Sequence, residues 1–216
     1  MNKEENSENM IEIKNLTVQY IKDFYSLYNV NLNISKNTIL LGDQLSGGFA
    51  LLRAIAKLDN HYTGEILING KNIKQQNIKN LNIAYLPNEP VLFKLKTVKQ
   101  NIIYPLVLRK IDKKTCTEKV ENLVKKFGIE FDNKKAKNLN KSEAKIVAVL
   151  RAFIREPDLV LVEHFYDDLD PNYQDLANKI FEYFSSKTLI VACEENLPKC
   201  FENFEKHTLL NGSLID

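Results

Sequence analysis

Apolar and polar residues alternate with period two from Ile11 to Tyr20 ("IEIKNLTVQY"), as in a strand with one buried face. The alternation returns in "LYNVNLNIS", which predicts a second strand paired with the first. "NTILLGD" is a short apolar run that stops at Gly42, the pattern of a buried strand. "ALLRAIAKL" then changes to helical spacing, with Leu51, Leu52, Ile55 and Leu58 on one side. "TGEILINGKNI" reads as strand, turn and strand around Asn69-Gly70. "LNIAYLP" predicts a further buried strand. From Thr97 to about Phe127 the spacing is helical, with a break expected near Pro105. Leu139 to Ile154 predicts another helix, apolar at Ile146, Val147, Val149, Leu150 and Phe153. "DLVLVEHF" carries four consecutive apolar residues, the mark of a strand buried on both faces of a parallel sheet. A helix ("NYQDLANKIFEYFSS"), a strand ("KTLIVACEE") and a hairpin ("EKHTLLNGSLID") follow. The pattern as a whole predicts an α/β core with a helical insert.

Composition narrows the function classes. A chain of 216 residues, 44% hydrophobic, suffices for one full domain. The formal charge is +2, and only four of the 30 basic residues are arginine (Arg53, Arg109, Arg151, Arg155). That disfavours a dedicated nucleic-acid surface, which leans on bidentate arginines. Cys116, Cys193 and Cys200 lack zinc-type spacing, and their odd number argues against a disulfide framework. Cys193 reads as a buried strand cysteine. His61 and His207 have no partner at metal spacing, and no metal site is expected. No run approaches the ~20 apolar residues needed to span a bilayer, and the polar start is no signal peptide. A soluble cytoplasmic protein is expected.

The candidate chemistry begins at "GDQLSGGFA", Gly42 to Ala50, where the strand-like run passes into the helix-like one. This is the setting of a phosphate-binding loop, G-x-x-x-x-G-K-[ST]. Gly42 and Gly47 keep the glycine spacing, while Gly48 stands at the lysine position and Phe49 at the hydroxyl position. Further along come "LLRAIAKL", "YTGEILINGKNI", "IAYLPNEPVLF" and "VLRAFIREPDLVLVE". In order and spacing these segments resemble the nucleotide-binding domain of ABC-type ATPases over nearly the whole chain. The resemblance implies a P-loop α/β core, an N-terminal antiparallel β sub-domain and an inserted helical sub-domain. It implies a single domain over residues 1–216, with core and β sub-domain at about 1–89 and 151–216 and the helical part at about 90–150.

The resemblance also places the family's motifs. The aromatic that stacks on adenine falls at Tyr20. The phosphate loop comprises Gly42, Ser46, Gly47, Gly48, Phe49 and Ala50. The Q-loop glutamine is replaced by Asn88, one methylene shorter. The L-S-G-G-Q signature is Leu139, Asn140, Lys141, Ser142 and Glu143, with both glycines replaced. The second magnesium-side motif ends in Glu163 and His164 instead of Asp-Glu. The D-loop aspartate is Asp170, and the switch histidine falls at Glu194. Histidine and glutamate thus stand in exchanged positions, so that either His164 and Glu194 pair across the vacated pocket or two unrelated substitutions look reciprocal. Lys141 either offers a cation to a partner's phosphate or stands solvated.

These substitutions bear directly on nucleotide chemistry. A phosphate loop aims backbone N–H groups and one lysine at the phosphates from a helix N-terminus. Gly48 keeps the donors and removes the charge. A charge pair at about 4 Å and an effective dielectric near 20 is worth on the order of 4 kcal/mol before desolvation. Its loss weakens ATP binding by roughly two decades or more. Phe49 removes a hard oxygen ligand of Mg²⁺, a metal that demands octahedral oxygen geometry. Asp43 and Glu194 add negative charge. The expectation is a degenerate ABC ATP-binding subunit, a pseudo-ATPase with weak or absent ATP and Mg²⁺ binding and no ATPase activity alone. Partners implied by the resemblance are a membrane transporter subunit, a competent ABC ATPase subunit, or both, which would hold the chain at the inner face of a membrane. Two alternatives stand beside it: an ATPase assisted by a partner, and a non-hydrolysing nucleotide or anion sensor. The isolated chain is expected to be a monomer.

Overall fold

The computed structural model describes residues 11–184, 188–194 and 198–215, the side chain of residue 79 excepted. Two sheets organise them. An antiparallel sheet of four strands runs in the order β2 (Phe24–Ile34), β1 (Ile11–Ile21), β4 (Tyr62–Ile68), β5 (Lys71–Asn72). The larger sheet has the order β10 (Ser213–Leu214), β9 (Glu205–Leu210), β3 (Thr38–Leu41), β8 (Thr188–Cys193), β7 (Leu159–Glu163), β6 (Ile83–Leu86). Its strands β9, β3, β8, β7 and β6 are parallel, and β10 closes the edge antiparallel to β9. Four successive residues of β7, Leu159 to Val162, are buried, as the unbroken apolar run predicts for a central parallel strand.

The layers follow from which side chains each strand turns to each face. One face of the large sheet packs α1 (Gly48–Ile55) and the antiparallel sheet, through Leu40, Leu161, Ile190, Leu51, Ile55, Ile13 and Leu27. The other carries Val160, Val162 and Val191 against α4 (Lys141–Phe153) and α5 (Pro171–Tyr183), with α2 (Val98–Leu108) and α3 (Lys113–Lys126) beyond. The aromatic rings of Phe153, Phe165, Phe181, Phe184 and Phe201 meet in that second layer.

Pro105 corrects the expected break. It lies inside α2, which runs on to Leu108. The helix stops instead where Lys110 turns left-handed at φ 57°, with the Lys110 and Ile111 N–H groups closing on Val107 O and Leu106 O. A proline forfeits one backbone bond, and the Thr97–Gln100 capping box at the other end of α2 supports the helix over that gap. Among the described residues no helix is long and apolar enough to cross a membrane.

Candidate functional site

The glycine loop leaves β3 at Leu41 and enters α1 at Gly48. Gly42 N–H donates to Cys193 O at 3.1 Å, which sets the loop at the carboxyl ends of β3 and β8. A Cβ on Gly42 would lie 2.4 Å from Ser46 Oγ and 2.6 Å from Leu209 O. Gly47 is left-handed, φ 104°, and a Cβ there would meet Ser26 O at 2.3 Å. Both outer glycines are therefore required by the loop's own geometry, whatever it binds. Ser46 and Ala50 are buried, and Ser46 O accepts from Gly212 N–H at 3.0 Å, which seats the loop on the C-terminal hairpin.

Inside the loop, Asp43 acts on the backbone. Its carboxylate accepts from Leu45 N–H at 2.9 Å and its carbonyl from Ser46 N–H at 3.1 Å. A loop that would offer these groups to an anion thus directs one of them at its own negative side chain. Helix α1 has no acidic residue in its first turn and no side-chain cap. Its first N–H groups, at Gly48, Phe49 and Ala50, have no partner within the helix by construction. Phe49 is partly exposed, and the Arg53 guanidinium sits 5.0 Å from its ring centroid. A Cβ on Gly48 would come 3.2 Å from Ala192 Cβ.

Two tyrosines interact with Arg53 of α1. Tyr20 is about half exposed, and burial together with a hydrogen bond to Asp59 pushes its ionisation up to about 12. Tyr85, on β6, donates its hydroxyl to Oε2 of Glu163 at 2.5 Å. Burial, then the carboxylate, pushes the Tyr85 phenol far above its ordinary range, while Arg53 acts in the opposite direction. The Glu163 carboxylate is thereby engaged by a phenol within the same chain.

Lys145 is the most deeply buried charged side chain among the described residues. It is 1% exposed, in the apolar stripe of α4. Its ammonium donates to Phe165 O at 2.7 Å and Asn88 Oδ1 at 3.0 Å, with His164 O at 3.5 Å. Burial lowers its pKa. One side chain thus ties α4, the loop after β6 and the turn after β7.

Leu139, Asn140, Lys141, Ser142 and Glu143 each have a local structural task. Asn140 caps α4 by accepting from Glu143 N–H at 2.8 Å, and the Glu143 carboxylate accepts in return from Asn140 N–H at 3.0 Å, a reciprocal capping box. Glu143 also pairs with Lys134 at 2.8 Å. Lys141 is neither free nor simply solvated: Glu89 holds it at 2.8 Å and Asp168 at 2.9 Å. Buried Ser142 accepts from Asp170 N–H at 2.9 Å, and Asp170 caps α5 through Asn172 N–H. Leu139 packs against the core at its edge.

Of the two alternatives for His164 and Glu194, the direct hydrogen bond is not the one formed. His164 turns left-handed at φ 43° after β7, with its N–H on Ala192 O at 2.8 Å, and its imidazole is buried. That turn brings Asp167, three residues on, to Nδ1, with Oδ2 at 2.6 Å. Glu194, one residue past β8, stands in the same cluster, one ligand atom from each of the three lying within 4.8 Å of the others. Sequence reading missed Asp167, Lys145 and Tyr85. Lys145 carried a signal, a lysine on the apolar side of a helix next to Ile146. Tyr85 and Asp167 acquire their roles only through distant or turn-specific contacts.

Comparison with known proteins agrees with this geometry. The family model described as ABC transporter matches residues 26–163. The sulfate/thiosulfate import ATP-binding protein CysA of Synechocystis is 34% identical over 163 residues, covering 74% of this chain and 46% of the relative. The CysA protein of Mesostigma viride is 32% identical over 205 residues, covering 90% and 57%. The molybdate/tungstate import ATP-binding protein WtpC of Pyrococcus abyssi is 31% identical over 164 residues, covering 74% and 47%. The chain therefore spans about half the length of the curated relatives it matches. Among solved structures, an ATP-binding cassette dimer in a post-hydrolysis state with ADP and Pi superposes with TM-score 0.83 at 22% identity, over 95% of this chain and 97% of that one. The structure of cbiO1 from Clostridium perfringens, part of the transporter complex cbiONQ, gives TM-score 0.80 at 22% identity, over 97% and 88%.

Proposed function

Since the chain belongs to the ABC transporter family, we propose that it is a catalytically degenerate ATP-binding subunit, serving as a partner, scaffold or regulatory subunit of a transport complex. The observation that carries this reading is the state of the phosphate loop. The lysine and hydroxyl positions hold Gly48 and Phe49, and the loop's carboxylate, Asp43, takes the Leu45 N–H. Mg²⁺–ATP fits this set of residues poorly. The nearest carboxylate on the metal side, Glu163, is bound to Tyr85, and the Q-loop position, Asn88, accepts from Lys145. No catalytic step is assigned to these groups.

A second feature supports a partner role. Val91 and Leu95 are largely exposed and Phe93 partly so, in the segment between β6 and α2. In the family, the neighbourhood of the stripe that follows, Thr97 to Leu108, borders the groove for a membrane subunit's coupling helix. Such a partner would hold the chain at the inner membrane face. The relatives named above are import subunits, which makes an importer the natural setting for the proposal. A nucleotide or anion sensor is the second reading, favoured by the N-terminus of α1, which has no side-chain cap, and by the half-exposed Tyr20 at the family's adenine-stacking position.

The reading is tested by light scattering and phosphate release on the purified chain, with and without Mg²⁺–ATP. A monomer under both conditions, with no turnover above background, is expected. An ATP-dependent dimer or turnover by the chain alone contradicts it.

A further inference from the structure

The cluster at the ends of β7 and β8 has the chemistry of a metal site. His164 contributes an imidazole whose side chain is 4% exposed. Asp167 and Glu194 contribute carboxylates at the surface side, and one ligand atom from each residue lies within 4.8 Å of the other two. Three donors around one ion at about 2.0–2.2 Å stand some 3–4 Å apart. His164 Nδ1 and Asp167 Oδ2 stand at 2.6 Å, in a hydrogen bond, and must move apart to admit an ion between them. Glu194 is exposed, so its side chain is free to close the remaining gap by rotation. Backbone bonds fix the frame: His164 N–H is on Ala192 O, and Glu194 directly follows the last residue of β8.

An independent feature supplies access. Asp167 and Glu194 both line an open cavity of about 980 Å³ shared with Gln174, Asp175 and Lys199. Asp167, hydrogen-bonded to the buried imidazole, thus links it to a solvent-open space. From the donor set and this placement we infer that His164, Asp167 and Glu194 form a binding site for a divalent transition-metal ion of the zinc or manganese class. One nitrogen with two carboxylate oxygens suits these ions, whereas Mg²⁺ prefers oxygen alone. Lys145 contacts only the backbone oxygen of His164, and Cys193 stands outside the ligand set. This site uses neither Gly48, Phe49 nor Glu163, so it stands or falls apart from the reading of the phosphate loop.

The test is titration of the chelator-treated, purified chain with MnCl₂, following free Mn²⁺ by electron paramagnetic resonance, a probe that discriminates against adventitious thiol binding at Cys200. One ion per chain, displaced by an equivalent of Zn²⁺ and retained in millimolar Mg²⁺, is expected. E194Q, altered at an exposed position, and D167N each weaken binding at least tenfold while melting curves of the metal-free variants stay cooperative. Absence of Mn²⁺ and Zn²⁺ binding at hundreds of micromolar, or unchanged affinity in both variants, overturns the inference.

Discussion

Tyr85 donates its hydroxyl to Oε2 of Glu163 at 2.5 Å, joining β6 to the last residue of β7. Both groups are part-buried, so removing the phenolic hydroxyl leaves a carboxylate short of a partner. Y85F is expected to lower stability by about 1–3 kcal/mol, whereas E163Q, which keeps an acceptor oxygen, lowers it less. Urea unfolding at neutral pH measures both. Equal effects of the two variants would show that the bond contributes little.

The same tyrosine predicts a pH dependence. Its folded pKa is raised, so the folded chain keeps the phenolic proton after the unfolded chain has begun to lose it, near pH 10. The stability linked to this group is complete below pH 10 and declines as pH rises beyond it. Cys193 acts likewise, since burial and then Asp167 push its thiol up to about 12. Its contribution is complete below about pH 9 and is lost between there and 12. C193A is therefore expected to narrow its stability deficit against the native chain as pH rises above 9, by up to about 1.4 kcal/mol per unit. A constant difference from pH 8 to 11 contradicts this.

Much of the fold was legible because the signals are local. The four-residue apolar run of β7, the alternation of β1 and the Asn69-Gly70 hairpin each announce themselves within a few residues. The end of α2 was misread because Pro105 is a strong breaker by propensity, while the actual stop, a left-handed Lys110, has no residue signature. The bonding around the candidate site residues was not legible in the sequence. Tyr85–Glu163 and Asn88–Lys145 join residues 78 and 57 apart in sequence. His164–Asp167 is local, yet it depends on a positive φ at a non-glycine residue that sequence alone does not forecast.

Lys145 is expected to be a structural clamp. K145M leaves Phe165 O and Asn88 Oδ1 without their donor and costs about 1–3 kcal/mol at neutral pH. Its lowered pKa means that the unfolded chain holds the proton more tightly than the folded one. Stability linked to Lys145 therefore rises as pH approaches 10.5 from below, and the K145M deficit widens over that range. Guanidinium midpoints at pH 7 and pH 9.5 report it. A K145M chain as stable as the native one at both pH values sinks the clamp.

The signature segment yields a comparison of near-isosteric choices. Serine and asparagine both cap helices well, whereas alanine does not. N140S is expected to fall within about 0.5 kcal/mol of the native chain and N140A to lose roughly 0.5–2 kcal/mol. The reciprocal bond from Glu143 depends on the same N-cap geometry. Thermal melts of the two variants separate capping from any other role of Asn140. Equal losses would place its importance elsewhere.

The central claim, a phosphate loop kept as structure and emptied of its charge, is tested most directly by equilibrium binding of a fluorescent ATP analogue to the native chain and to G48K, in Mg²⁺ and in EDTA. The native chain is expected to show no saturable binding below millimolar nucleotide in either condition. G48K, despite the tight 3.2 Å approach to Ala192, is expected to gain at least tenfold in affinity. Micromolar, Mg²⁺-dependent binding by the native chain would contradict the account.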